Sequence, residues 1–112
     1  MRITPEQVEA ILASTKDLAG EGANVRLFGS RMNDALRGGD IDLLVDCARP
    51  VARPVWLAAQ LTARLQRLLG ERRVDVLLAA PGMAEEPVHR VARADGIVLK
   101  ACAAYAAARK LV

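Results

Sequence analysis

The sequence predicts an α/β domain, because segments with helical spacing of apolar residues alternate with short apolar strands along its 112 residues. The apolar fraction of 53% rests on Ala, Leu and Val rather than on aromatic residues, and this length can bury a hydrophobic core. We therefore expect a single domain over residues 1–112. Its core unit is predicted at about 4–80, and a helical segment at about 86–110.

The first helix is predicted from its capping residues. Thr4 suits the N-cap, Pro5 the first helical position, and Gln7 the third position of a capping box. The apolar face that follows consists of Val8, Ile11, Leu12, Thr15 and Leu18. Gly20 or Gly22 ends this helix.

Two strands and a connection are predicted next. Residues 25–28 form a short strand that runs into Gly29-Ser30, residues 31–36 form a brief helix, and residues 41–46 form the second strand. Asp40 and Asp42 alternate with apolar residues, so on a strand both carboxylates project from one face about 6.6 Å apart. That spacing suits a shared divalent cation, since carboxylates supply the hard oxygen ligands that Mg²⁺ prefers.

The remaining elements are predicted from prolines, glycines and apolar runs. Pro54 opens a helix that Gly70 stops, and residues 73–78 have the pattern of a central strand. Residues 87–93 form a short helix or turn, and a final helix covers 97–110. Asp75 lies near the start of the third strand, where pairing with the second strand would place it beside Asp42 or Asp40 as a third ligand or a proton acceptor.

Composition limits the classes of function. The net charge of +3 is concentrated in residues 87–112, which suits a triphosphate or an acidic protein partner. One Trp, one Tyr and one Phe are too few for a base-stacking platform, so we expect no direct nucleic-acid binding. No apolar run reaches the roughly 20 residues that span a bilayer. We expect a cytoplasmic protein in which Cys47 and Cys102 are reduced thiols.

Several further residues bear on the site. The Gly29-Ser30 turn before a helix can hold phosphate, with Arg31 as an added charge-assisted contact. His89 is predicted as a surface or helix-side residue outside the site, and Trp56 as part of the core or of an interface. The final helix either covers the sheet or docks another helix, in a homodimer or against a partner.

The order Gly29-Ser30, Asp40-x-Asp42 and Asp75 resembles the DNA polymerase beta-like nucleotidyltransferase superfamily, and the chain length resembles its minimal nucleotidyltransferase (MNT) branch. The resemblance implies a small mixed sheet flanked by helices, ATP as substrate and two Mg²⁺ ions. Asp40, Asp42 and Asp75 would be the catalytic and metal-binding residues. Gly29 and Ser30 would hold the triphosphate, with Arg31 beside them.

The same resemblance implies a partner. Members of the MNT branch are commonly antitoxins paired with a HEPN-domain toxin, which they silence by transferring AMP to a tyrosine or by binding. The expected function is therefore transfer of AMP from ATP to a hydroxyl, with a HEPN tyrosine as acceptor. The alternatives are a non-catalytic antitoxin that neutralises by binding, and a small-molecule nucleotidyltransferase that acts as a dimer.

Overall fold

The computed structural model describes residues 4–28, 41–70 and 73–99 and forms an α/β fold with one four-stranded mixed sheet. The elements in chain order are α1 (Pro5–Ala19), β1 (Asn24–Phe28), β2 (Ile41–Asp46), α2 (Pro54–Leu68), β3 (Val74–Ala79), α3 (Pro87–Asp95) and β4 (Ile97–Val98). The strand order is β3-β2-β1-β4, in which β2 and β3 are parallel and the other two pairs antiparallel. None of these three helices is long and apolar enough to cross a membrane.

Helix α1 begins with the reciprocal cap that its sequence predicts. The Thr4 hydroxyl accepts the backbone N–H of Gln7 at 3.1 Å, and the Gln7 side chain accepts the N–H of Thr4 at 2.9 Å. Two backbone donors that a helix start leaves without partners are thereby satisfied. The helix ends at Gly20, whose φ of 91° favours glycine. The predicted helix is confirmed at both ends.

Helices α1 and α2 cover one face of the sheet and build the main core there. Its members include buried side chains from both helices and from three strands: Ile11, Leu57, Leu61, Leu65, Val25, Leu27, Ile41, Leu43, Val45, Val74 and Leu78. Ile41 and Leu43 therefore lie on the face opposite Asp42, as their alternation predicts. An ion pair between Arg64 and Asp17, 3.1 Å long, joins the two helices at the surface.

Helix α3 covers the other face and forms a smaller core. Its Ala92 is fully buried with Leu44, and Phe28 and Leu77 pack against them. The chain then turns at Gly96, and the N–H of Leu99 donates to the carbonyl of Val25 at 2.8 Å. Within the described residues the two faces thus differ: two 15-residue helices cover one face and one 9-residue helix covers the other.

Two predictions about the strands are wrong. The third strand is at an edge of the described sheet rather than at its centre, because β4 adds to the opposite side, along β1. Its apolar run reflects helices on both faces, which bury an edge strand as well as a central one. Residues 97–98 form β4 instead of a helix start, since Ile97 and Val98 pair with Leu27 and Arg26. The predicted helix over 31–36 and the remainder of the final helix lie outside the described residues.

His89 is buried, with 4% of its surface exposed, so its prediction as a surface residue is wrong. Its Nδ1 accepts the backbone N–H of Glu86 at 3.0 Å, which leaves the proton on Nε2. Nε2 then donates to the carbonyl oxygen of Leu78 at 2.9 Å. The carbonyl of Ala79 accepts the N–H of Cys47, the residue after β2, so the carbonyl of Leu78 faces the outer side of β3. His89 therefore ties the start of α3 to the strand edge.

Trp56 lies on α2 with 58% of its surface exposed. The prediction that it fills the core is therefore wrong, because a core side chain is almost fully removed from water. Its alternative role at an interface stays a prediction.

We expect Gly96→Ala to destabilise the fold by about 1–3 kcal/mol, because overpacking at a close contact forces the backbone to shift. A Cβ at this position would overlap the carbonyl oxygen of Ala92 and lie 3.2 Å from the Cβ of Arg26. Urea unfolding measures the change, with Ala94→Ser on the exposed side of α3 as control. A stability equal to that of the control would contradict the close approach.

We expect His89→Phe to lower the free energy of unfolding by about 1–3 kcal/mol, because it leaves buried backbone groups without partners. His89→Gln should recover part of the loss, since a glutamine at the same helix position already accepts the N-cap N–H in α1. Chemical denaturation of the three proteins measures both values. Equal losses in the two variants would show that the N-cap bond contributes nothing.

Candidate functional site

Asp42 on β2 and Asp75 on β3 are register partners in the parallel pair. Directly opposed residues on neighbouring strands project from the same face, and strands about 4.8 Å apart place them side by side. The sequence-based prediction that Asp75 lies beside Asp42 is confirmed. Two carboxylates that are far apart in the sequence thus meet on one face of the sheet.

The carboxylate pair lies at the sheet end where β1 finishes. Phe28, the last residue of β1, is the register partner of Asp42 on its other side. The chain continues from Phe28 into Gly29-Ser30, and Asp40 precedes the first residue of β2. Gly29, Ser30, Arg31 and Asp40 lie outside the described residues, so their roles stay predictions.

Positive charge near the pair comes from Arg73. Its Nε lies 3.6 Å from Oδ2 of Asp75, and both side chains are well exposed, at 71% and 58%. An ion pair this exposed contributes little to stability, because water and salt screen it. The backbone carbonyl of Arg73 accepts the N–H of Ile41 at 2.9 Å, which fixes the register of β2 and β3 at this end.

The pair has the donor chemistry of a magnesium site. Neighbouring carboxylates repel each other unless a cation lies between them, and Mg²⁺ is commonly bound by one or two carboxylates with water and phosphate oxygens completing six ligands. Among residues 4–28, 41–70 and 73–99, no group of three or more His, Cys, Asp and Glu side chains is arranged for a metal ion. The third predicted carboxylate, Asp40, lies outside those ranges. Asp42 and Asp75 are therefore the described part of the predicted site.

The acidic group at the other end of β2 has a different role. Asp46 accepts from Nη2 of Arg93 at 3.2 Å, and Nη1 of the same arginine bonds to Glu85. This bridge fastens the loop before α3 to the sheet. Next to it, Cys47 is a buried free thiol, and burial followed by the charge of Asp46 raises its pKa. It stays protonated at neutral pH and is therefore unsuited to act as a nucleophile.

Arg26 lies on the sheet face that carries the two aspartates, and its position was not predicted from the sequence. It is half-buried on β1, two residues before Phe28, and its register partner on β2 is Leu44. Arg26 therefore shares its face of the sheet with Asp42. The alternation of Val25-Arg26-Leu27-Phe28 could have predicted this position, because it places one charged residue on the less apolar side of a buried strand.

One cleft formed by described residues lies away from the carboxylates. It encloses about 660 Å³ between the end of α1 and the segment after β2, with Glu21, Arg49 and Leu57 among its lining residues. Asp42 is the second residue of β2 and this segment follows the last, so the two lie at opposite ends of the strand. We place the candidate site by its carboxylate chemistry rather than by cavity size.

No known protein-family model matches the chain, and no curated protein matches it. The features that bear on the class of protein are therefore the mixed sheet and the carboxylate pair that its parallel register creates.

We expect Mg²⁺ to stabilise the protein through Asp42 and Asp75. At a tenfold excess of Mg²⁺ over its Kd the gain is about 1.4 kcal/mol, because a ligand that binds only the folded state stabilises it by mass action. Thermal unfolding with and without MgCl₂ measures the gain, which Asp42→Asn should remove. Asp46→Asn, on the same strand and face, should keep it. An equal gain in all three proteins would assign the effect to general ionic strength.

Proposed function

We propose that this chain is a minimal nucleotidyltransferase of the DNA polymerase beta-like superfamily, which transfers AMP from ATP to a hydroxyl group. The observation that carries the proposal is the direct register pairing of Asp42 with Asp75 on adjacent parallel strands. The mixed sheet with helices on both faces agrees with the fold that the sequence resemblance implies.

The position of the pair adds support. The Gly29-Ser30 turn and Asp40 are chain neighbours of Phe28 and Ile41, which belong to the same end of the sheet as Asp42. Gly29, Ser30 and Asp40 are therefore close along the chain to the same end of the sheet. In the proposed site Gly29 and Ser30 hold the triphosphate through backbone N–H groups and the hydroxyl, and Arg31 adds positive charge.

Asp40, Asp42 and Asp75 would bind two Mg²⁺ ions, which when bound neutralise phosphate charge and polarise the reacting oxygens. The Asp75 side chain is 58% exposed and so is accessible to an incoming hydroxyl. In the proposed mechanism Asp75 accepts the proton of that hydroxyl. The hydroxyl oxygen then bonds to the α-phosphorus, the bond from that phosphorus to the bridging oxygen breaks, and pyrophosphate leaves.

The proposed acceptor is a tyrosine of a HEPN-type toxin, which makes this chain the antitoxin of the pair. The family resemblance supports this acceptor. The edge position of β3 also supports it, because Asp75 lies on an outer strand of the described sheet and a protein-borne hydroxyl can approach it from the side.

We expect Asp42→Asn and Asp75→Asn each to reduce AMP transfer roughly 10²-fold or more, because each removes a carboxylate needed for metal binding or proton acceptance. The measurement is incubation of the purified chain with α-labelled ATP, Mg²⁺ and the protein encoded beside its gene. Intact mass analysis of both proteins then identifies the modified chain.

Asp46→Asn is the matched control, because it removes a carboxylate from the same strand and face but from the opposite end of β2. It should retain transfer once corrected for the fraction folded. Full transfer by Asp42→Asn would sink the proposed mechanism. Neutralisation of the partner by Asp42→Asn, with no AMP added by either protein, would establish the binding-only antitoxin instead.

A further inference from the structure

We propose that Arg26 binds a phosphate group of the nucleoside triphosphate from the sheet side of the site. This inference rests on the proposed function and assigns it a phosphate ligand outside the Gly29-Ser30 turn. It is carried by the placement of Arg26 on the face of Asp42 and by a buried guanidinium nitrogen that has no partner among the described residues.

The strand register places Arg26 within reach of the carboxylate site. Phe28 is opposite Asp42 and Arg26 is opposite Leu44, so Arg26 and Asp42 are diagonal neighbours on an antiparallel pair. Such diagonal positions are about 7–8 Å apart, a distance that long side chains bridge. At the base of the side chain, Gly96 packs so closely that an added Cβ would lie 3.2 Å from the Cβ of Arg26.

Nη1 of Arg26 is buried and has no hydrogen-bond partner in the described part of the chain. A buried N–H donor without an acceptor has lost its hydration and gained nothing in return, which is unfavourable for folding. The imbalance is larger for a guanidinium, because the group is charged at every physiological pH. A ligand that brought an acceptor to Nη1 would remove this imbalance.

Two carboxylates on the same sheet face have other cations as partners. Asp46, the other diagonal neighbour of Arg26, pairs with Arg93 at 3.2 Å, and Asp75 pairs with Arg73 at 3.6 Å. Arg26 is thus not the counter-ion of either. Arg73 and Arg93 provide that charge.

The chemistry of the guanidinium selects the ligand. Its planar fork of N–H groups matches the paired oxygens of a phosphate, and charge-assisted bonds of this kind are stronger than neutral ones. In the proposed site a nucleoside triphosphate is the anion held beside Asp42. A phosphate oxygen would satisfy Nη1 and leave the base and ribose untouched.

The test compares Arg26→Met and Arg26→Lys with the wild-type chain, using calorimetry with MgATP and with magnesium tripolyphosphate, and thermal unfolding without ligand. We expect Arg26→Met to weaken both ligands roughly ten- to a hundredfold, which is the loss of one charge-assisted contact. Its Tm without ligand should equal or exceed that of the wild type, because the methionine buries no unpaired donor. Arg26→Lys should bind with intermediate affinity.

Arg64→Met is the matched control, since Arg64 is also half-buried but pairs with Asp17 on the opposite side of the sheet. It should leave both Kd values unchanged. Unchanged Kd values for Arg26→Met, or a loss confined to MgATP, would overturn the phosphate contact. A Tm below that of the wild type would show that the guanidinium already has a partner in the free protein, and would overturn it too. Absence of binding by the wild type would instead remove the proposed function itself.

Discussion

The parallel register of β2 and β3 is the constraint on which the rest of the site depends. The N–H of Ile41 donates to the carbonyl of Arg73, which fixes the register, and one step further along both strands the two aspartates are opposite each other. A shift of one residue would turn one carboxylate into the main core and bring an apolar side chain to the surface. The same contacts that bury Ile41 and Val74 therefore fix the position of Asp42 and Asp75.

The two faces of the sheet divide the tasks of stability and chemistry. On the side of α1 and α2, the strands contribute apolar side chains to a continuous core. On the side of α3, the strands carry Arg26, Asp42, Asp46 and Asp75 among a few apolar residues. These charged side chains are half-buried or exposed, so their hydration is only partly lost and they can be retained on this face.

Local signals in the sequence were sufficient for much of this architecture. The capping residues of α1, the alternation of β2 and the apolar run of β3 each depend on neighbours within a few positions. The failures concern contacts between distant residues. Pairing of β4 with β1, the edge position of β3 and the burial of His89 depend on what packs nearby in space. The Arg26 nitrogen without a partner among the described residues is a similar case, because only a packed structure removes its water.

His89, in the first turn of α3, also affects whether copies of the protein associate through the outer strand β3. An outer strand with free backbone groups is a template on which a second chain can form a β-ladder, and such edge-to-edge association leads to aggregation. His89 occupies the outward carbonyl of Leu78 with a side chain that is itself locked to the backbone of Glu86. An incoming strand would have to displace the ring and unwind the first turn of α3. A helix cap thereby serves as protection against aggregation for the strand that carries Asp75.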